Sequence, residues 1–196
     1  MNQKEFLDAK ENALQSLSEA YNKEKVDEGI SQILTLINRI EGLYTSSSCA
    51  GRIVLLEIPS VGDKRAASFL GVWHRTIQPS ELCSSSDHAH RGLLWLLAQS
   101  PILHIGAETL HLADTMVKLA VSCGFKNSAL KSTEKKIVLE ICSTKRLDAP
   151  IGRDGVLFCN SEYLDLLIEI SNEIIQRSQK KLDRLAKKIG KFTDFL

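Results

Sequence analysis

The densest group of chemically useful side chains in the 196-residue sequence lies in residues 44–53, between an amphipathic helix and an apolar strand. The segment holds Thr45, three serines, the thiol of Cys49, a small Ala-Gly pair and the guanidinium of Arg52. Hydroxyls and a guanidinium can hold a carboxylate or a phosphate by hydrogen bonds, and loops that enter strands often carry binding sites. Serine, threonine and glycine are also ordinary turn residues, so a plain hydroxyl-rich turn is the alternative interpretation.

Four histidines occupy positions where an imidazole could transfer protons or bind a metal. His74 follows a predicted strand, which is a usual place for a functional imidazole. His104 lies within the apolar run 101–106, where a core histidine with hydrogen-bond partners and a functional imidazole both fit. His88 and His90 could share a metal ion, but no third ligand has suitable spacing, so we predict no metal site.

The C-terminal end of the chain is strongly basic, although the formal net charge of the whole chain is only +1. Residues 175–196 hold seven basic and two acidic side chains, whereas residues 1–30 hold four basic and seven acidic ones. Six basic residues recur at helical spacings of three and four: Lys180, Lys181, Arg184, Lys187, Lys188 and Lys191. Such a stripe is either a solvated helix face or a contact surface for a phosphate backbone.

The spacing of apolar residues predicts four helices that would position these groups. They cover about residues 4–21, 26–42, 108–123 and 161–190, with Gly42 and Gly124 as terminators of the second and third. Residues 83–91 and 147–152 are predicted to be irregular, and the first of these segments is the expected mobile one.

Between the helices, short apolar runs predict strands. They cover residues 52–58, 68–73, 92–98, 101–106, 127–131, 136–142 and 156–158. Because strands cluster between helices without regular βαβ alternation, we expect an α+β fold with a mixed or antiparallel sheet. No linker divides the chain, so we expect a single domain over residues 1–196.

Composition restricts the compartment and excludes common nucleotide folds. The cysteines are odd in number and none forms a C-x-x-C pair, so they read as free thiols in a reducing cytoplasm. No apolar run approaches the roughly 20 residues of a membrane span, and the polar first five residues are not typical of a secretory signal. The sequence contains neither G-x-G-x-x-G nor a P-loop, so dinucleotide-binding, P-loop and doubly wound methyltransferase folds have no support.

Several separated patches together resemble the tRNA wybutosine-synthesizing protein 3 family. The most specific patch is Thr-Ser-Ser-Ser-Cys-Ala-Gly-Arg-Ile at residues 45–53. The others follow in the family's order and spacing over nearly the whole chain: His74, residues 102–104, residues 124–128, Ser143 and Thr144 with Leu147 and Pro150, and residues 162–163.

The resemblance implies a tRNA methyltransferase that uses S-adenosyl-L-methionine. Members methylate N4 of 7-(aminocarboxypropyl)-demethylwyosine, the nucleotide 3′ of the anticodon in tRNA-Phe. The sequence departs from the family at Trp73, where many members have Ser or Thr, and at residues 84–90. It also has Gln99-Ser100 where members often have Glu-Pro, and because an amide cannot accept a proton as a carboxylate does, we assign residue 99 no base role.

Methyl transfer from a sulfonium requires in-line placement of donor and acceptor more than acid–base chemistry. We expect His74 or His104 to accept the proton of the acceptor nitrogen. We expect Ser47, Ser48 and Arg52 to bind the donor carboxylate or the aminocarboxypropyl arm of the substrate.

Further expected contacts come from other patches. Asn127 and Ser128 offer an amide and a hydroxyl for binding, and Cys49 is expected to be a small packed side chain in the site and not a nucleophile. Trp73 either stacks on the substrate base or belongs to the core. The basic residues expected to meet the anticodon-stem phosphates are Lys180, Lys181, Arg184, Lys187 and Lys188.

Two other classes of function remain open from the sequence. A non-catalytic RNA-binding or scaffold domain would explain the basic stripe and the absence of a glycine-rich loop. A small-molecule hydrolase has less support, because the sequence shows no nucleophile–base pair. A monomer is compatible with the sequence, which leaves the oligomeric state open.

Overall fold

The computed structural model of the chain describes residues 3–193, so the first two residues of the polar start and the last three residues lie outside the described part. The chain forms two compact units. The first comprises residues 1–50, 101–144 and 179–196, and the second comprises residues 51–100 and 145–178. The single-domain interpretation stays a prediction.

Most helices and strands of the described residues match the apolar pattern, and β1, α3 and β8 do not. The helices are α1 (Gln3–Asn22), α2 (Ser31–Asn38), α3 (Pro79–Ser86), α4 (Leu110–Ser122) and α5 (Ser161–Thr193). The strands are β1 (Leu43–Cys49), β2 (Arg52–Ile58), β3 (Ser68–Trp73), β4 (Leu93–Gln99), β5 (Ile102–Ala107), β6 (Ala129–Ser132), β7 (Ile137–Cys142), β8 (Arg146–Arg153) and β9 (Val156–Leu157).

The first unit is built on a four-stranded antiparallel sheet in the order β1-β5-β7-β6. Alternate side chains of its two central strands point into the core, as the period of two along a strand requires. Leu103, Ile105, Leu139 and Ile141 are fully buried against apolar residues of the helices. The intervening positions, which include His104 and Glu140, therefore belong to the opposite face of the sheet.

The second unit is built on a five-stranded sheet in the order β3-β2-β4-β8-β9, with every pair antiparallel. Its core is formed by buried residues of β2 and β4 with Leu164, Leu167 and Ile168 of α5. The expected α+β fold is confirmed: residues 3–193 form two antiparallel sheets instead of one, and the strand order of neither sheet is doubly wound.

The prediction that residues 44–53 form a loop is wrong for most of the segment. Residues 43–49 are strand β1, and the turn is confined to Ala50 and Gly51. Gly51 has a φ of 91°, a conformation that glycine adopts readily. Serine favours turns in isolation, but β1 is an edge strand that needs only one neighbour. Its pairing along the whole of β5 supplies the backbone hydrogen bonds that local propensity does not predict.

Of the two other segments predicted to be irregular, residues 83–91 are helical only at 83–86 and irregular at 87–91, whereas residues 147–152 lie within a strand. Residues 79–86 form α3, which begins at Pro79, and the Glu81 carboxylate accepts a hydrogen bond from the backbone N–H of Gln78 at 2.9 Å. Residues 146–153 form β8, and its register shifts opposite Leu94 and Trp95, where Pro150 is accommodated. A proline is tolerated within a strand at such an irregularity. The proline and glycine in residues 147–152 therefore do not prevent this segment from forming a strand, although they led to the prediction of an irregular segment.

Helix α2 ends at Asn38, so Gly42 is not its terminator. The ammonium of Lys10 in α1 donates to the carbonyls of Ile40 and Glu41, each at 2.8 Å, and so satisfies backbone acceptors beyond the helix end. In contrast, Gly124 does follow α4 with a φ of 101°, as predicted.

None of the helices within residues 3–193 is both long and apolar enough to cross a membrane.

A substitution at Gly106 of β5 tests how tightly β1 packs on β5. The ring of Tyr44, opposite Gly106 in the register, occupies the place of a β-carbon at this position, and it also packs on Phe6 with 5.5 Å between ring centroids. We expect Gly106→Ala to displace that ring and to lower the free energy of unfolding by about 1–3 kcal/mol in chemical denaturation.

The matched control for Gly106→Ala is Gly190→Ala in α5. Apart from the chain neighbours and the nearby backbone of α5 itself, no described atom lies within 4 Å of the β-carbon position there, so the alanine should stabilise the helix by about 0.5–1 kcal/mol. Equal effects of the two substitutions would contradict the packing of Tyr44 over Gly106.

Candidate active site

A row of polar side chains crosses the four-stranded sheet of the first unit. In the strand register Ser47 lies opposite His104, and His104 lies opposite Glu140. Ser47 Oγ is 2.7 Å from His104 Nδ1, and His104 Nε2 is 2.9 Å from Glu140 Oε2. The imidazole is therefore held at both nitrogens by side chains of the two neighbouring strands.

A β-bulge in β1 selects which hydroxyl meets His104. The register shifts between Thr45 and Ser47. Thr45 is buried and bonds the side chain of Asn38 in α2, whereas Ser46 Oγ donates to the backbone carbonyl of His104 at 3.3 Å. Bulges re-aim side chains in this way next to functional sites, and here the bulge brings Ser47 to the imidazole.

Glu140 is ionised at neutral pH. Burial by itself would raise the pKa of Glu140, but hydrogen bonds from Lys131, His104 and Cys142 outweigh it and hold the pKa below its ordinary value. The Lys131 ammonium lies 2.8 Å from Glu140 Oε1, and this hydrogen bond and charge raise the pKa of Lys131. Both directions agree, so the pair is a carboxylate and an ammonium.

The hydroxyl-rich part of β1 also lines a cavity of about 270 Å³. Its wall is formed by residues 45–48 of β1, residues 25–27, and Ala13, Ser16, Leu17 and Ala20 of α1. Asp27 Oδ2 accepts a hydrogen bond from the backbone N–H of Ala50 at 2.8 Å, which fixes the turn after β1 beside this wall. The cavity is thus lined by apolar side chains of α1 together with the hydroxyl-bearing residues of β1, Lys25 and Asp27.

The structure connects one more predicted residue, Asn127, to this polar row through Cys142. Asn127 Nδ2 is 3.4 Å from Cys142 Sγ, and Cys142 Sγ is 3.5 Å from Glu140 Oε1. Burial raises the pKa of Cys142, which favours the neutral thiol. Ser128 Oγ donates to the Phe125 carbonyl at 2.8 Å, so this hydroxyl closes a local turn. Cys49 is a half-buried thiol in β1, and its expected binding role stays a prediction.

Three of the predicted residues belong to the second unit. Arg52 Nε donates to Gln99 Oε1 at 2.9 Å, across the β2–β4 pair, and the guanidinium lies 5.8 Å from the centroid of the Phe69 ring. His74 is exposed just after β3. Trp73 is half-buried and packs against the core of this unit, which favours the core alternative for this residue.

Some basic residues of α5 hold contacts with other side chains of the first unit, and others extend into solvent. Lys181 Nζ is 2.6 Å from Ser143 Oγ and 6.0 Å from the centroid of the Phe125 ring, and Lys188 Nζ donates to Ser122 Oγ at 2.8 Å. Lys180, Arg184 and Lys187 are exposed. We call these three exposed side chains the basic surface.

Glu140, Lys131, Lys25 and Asp27 are site residues that the sequence did not predict. Strand alternation would have placed Glu140 on the polar face of β7, but only the register shows that it meets His104. Asp27 follows the apolar Val26 at the beginning of the second predicted helix, where a carboxylate reads as a helix-capping residue. Its bond to residue 50 joins positions far apart in sequence.

The comparisons with known proteins place this chain in a class of methyltransferases. Residues 8–191 match the family described as Methyltransferase TYW3. The match covers more than nine-tenths of the chain, so the chain belongs to this family, and the resemblance is confirmed.

Individual relatives align over nearly their whole length. A tRNA(Phe) 7-((3-amino-3-carboxypropyl)-4-demethylwyosine(37)-N(4))-methyltransferase 1 from Pyrococcus horikoshii is 47% identical, with 94% of this chain and 95% of that protein covered. The corresponding methyltransferase from Thermococcus sibiricus is 41% identical, with 96% of both covered.

Solved structures agree with the fold. The structure of the PH1069 protein from Pyrococcus horikoshii is 47% identical and superposes with a TM-score of 0.91, over 94% of this chain and 95% of that one. A hypothetical protein from Aeropyrum pernix is 29% identical, with a TM-score of 0.74 over 84% of this chain and 98% of that one.

The ionisation of Glu140 predicts how stability responds to acid. A depressed pKa in the folded state means that the carboxylate stabilises the protein above the ordinary carboxyl pKa of about 4.3 and loses this contribution as the pH falls through the folded value. We expect Glu140→Gln to lower the melting temperature at pH 7, and the difference from wild type to shrink below about pH 4.

Asp114→Asn is the control for this measurement. Asp114 pairs with Lys118 on the exposed face of α4 at 2.6 Å, and such surface pairs contribute little. A difference between wild type and Glu140→Gln that is the same at pH 7 and pH 3 would show that Glu140 is not a stabilising carboxylate.

Proposed function

We propose that this chain transfers a methyl group from S-adenosyl-L-methionine to N4 of 7-(3-amino-3-carboxypropyl)-4-demethylwyosine in tRNA-Phe, at the nucleotide 3′ of the anticodon. The observation that carries the proposal is structural. The hydroxyl-rich segment typical of the family forms one wall of a cavity, and Ser47 of that segment bonds the imidazole of His104, whose other nitrogen bonds Glu140.

The cavity suits an α-amino acid group. The hydroxyl of Ser48 and the Lys25 ammonium can donate to a carboxylate, and the Asp27 carboxylate can accept from an ammonium. Its volume of about 270 Å³ is near the lower end of small-ligand sites. It therefore fits the amino-acid end of the donor, or the aminocarboxypropyl arm of the substrate, better than either whole molecule.

When bound, S-adenosyl-L-methionine supplies a methyl group on a positively charged sulfur that leaves as a neutral thioether. The lone pair of the acceptor nitrogen forms the new C–N bond while the C–S bond breaks with its electrons on sulfur, and the nitrogen loses a proton. The chain therefore has to bind, orient, exclude water and accept that proton.

His104 is the better supported proton acceptor of the two predicted histidines. Its side chain is 34% exposed, and Ser47 and Glu140 hold it in a defined orientation. An oriented imidazole beside a ligand cavity is the arrangement that general base catalysis needs. His74 is retained as the alternative acceptor, together with Arg52 as a carboxylate-binding residue of the second unit.

The exposed basic surface of Lys180, Arg184 and Lys187 supports contact with the phosphates of the anticodon stem. The five cysteines, all among the described residues, form no disulfide, which agrees with the reducing cytoplasm expected for a tRNA-modifying enzyme. A non-catalytic RNA-binding domain would share the basic surface, but it would have no use for an oriented histidine beside an amino-acid-sized cavity.

The methyl-transfer proposal is tested with tRNA-Phe that carries the aminocarboxypropyl-demethylwyosine precursor. We expect one methyl group per tRNA, found by mass spectrometry of the nucleoside, only in the presence of S-adenosyl-L-methionine. S-adenosyl-L-methionine alone should also raise the melting temperature, because a ligand bound only by the folded state stabilises it. Binding of tRNA with neither methylation nor a donor-dependent shift would favour the non-catalytic alternative.

The basic surface is tested by the salt dependence of tRNA binding. We expect Lys180→Gln/Lys187→Gln to weaken binding and to reduce the slope of log K against log salt by about 1.5, since each phosphate contact contributes about 0.7–0.9. The control is Lys23→Gln/Lys118→Gln, which removes one exposed charge just after α1 and one from α4. If both double variants had the same slope, α5 would not be the phosphate-binding element.

A further inference from the structure

Three side chains hold the Glu140 carboxylate, two at one of its oxygens and one at the other. Oε1 lies 2.8 Å from Lys131 Nζ and 3.5 Å from Cys142 Sγ, whereas Oε2 lies 2.9 Å from His104 Nε2. The Glu140 side chain is only 15% exposed, compared with 50% for Lys131. The contacts at Oε1 therefore fix the plane of the carboxylate and leave Oε2 directed at the imidazole.

This arrangement determines which nitrogen of His104 carries the proton. An ionised carboxylate only accepts hydrogen bonds, so His104 Nε2 has to be the N–H donor to Glu140. In the neutral imidazole Nδ1 then has a free lone pair, and it accepts the hydroxyl proton of Ser47 at 2.7 Å. The basic nitrogen of the ring consequently points at the serine that lines the cavity.

We propose that Glu140 is the positioning residue of the methyl-transfer site, and that it fixes the Nδ1-basic tautomer of His104 so that the acceptor proton leaves through Ser47. The substrate N–H gives its proton to Ser47 Oγ as the hydroxyl proton of Ser47 passes to His104 Nδ1. The resulting imidazolium is stabilised by the Glu140 carboxylate, which stays unprotonated. This inference rests on the proposed function and adds the residue that orients its base.

The tautomer can be measured in the wild-type protein without any change to the site. Long-range proton–nitrogen correlation spectra of the histidine rings, with the His104 signals assigned by their loss in His104→Gln, should show a protonated Nε2 and an unprotonated Nδ1 at a pH where the ring is neutral. A ring protonated at Nδ1 would overturn the inference, whatever the activity of the enzyme.

The role in catalysis is tested by Glu140→Gln in single-turnover methylation at saturating donor. We expect the rate at saturating tRNA to fall by about 10- to 100-fold, the tRNA concentration for half-maximal rate to change by less than about threefold, and the two His104 tautomers to become mixed. Asp114→Asn, which removes a carboxylate from an exposed ion pair on α4, should leave the rate unchanged.

The outcomes separate this inference from the proposed function. A folded Glu140→Gln protein that methylates at the wild-type rate, with wild-type enzyme active, would overturn the role of Glu140 and leave the methyltransferase proposal standing. Inactivity of the wild-type enzyme on the precursor tRNA would instead reject the proposed function. If Glu140→Gln fails to fold, the tautomer in the wild-type protein still decides.

Discussion

The register of the four-stranded sheet is the constraint on which the site depends. Antiparallel pairing of β1 with β5 and of β5 with β7 puts Ser47, His104 and Glu140 in one row, each on a different strand. Directly opposed side chains on one face are close enough to hydrogen-bond. A slip of one residue in either pair would turn one of the three toward the apolar core, so the buried residues that set the register also assemble the site.

The negative charge of the Glu140 carboxylate is stabilised by hydrogen-bond donors that the fold already holds in place. An isolated carboxylate that is mostly buried would be costly, and Glu140 avoids this by accepting from Lys131, His104 and Cys142. A carboxylate fixed in this way does not have to reorganise when the neighbouring imidazole gains a proton. Preorganised charge of this kind is how proteins stabilise charge that develops during a reaction.

Much of the architecture could be predicted from the sequence, because apolar periodicity reports the buried faces of helices and strands. The positions of α1, α4, α5 and most strands followed from that signal. It failed where pairing overrides local preference, as in the serine-rich β1 and the proline-containing β8. Among the site residues, Ser47 and His104 were predicted one by one, whereas Glu140 and Asp27 were not, since their roles come from contacts between distant segments.

The central claim is that Ser47, backed by His104 and Glu140, receives the proton of the acceptor nitrogen. A crystal structure of the protein with S-adenosylhomocysteine and an anticodon stem–loop carrying the precursor nucleoside tests it most directly. The account predicts the acceptor nitrogen within about 2.6–3.2 Å of Ser47 Oγ, or joined to it by one water. An acceptor nitrogen seated away from Ser47, against some other group of the chain, would contradict it.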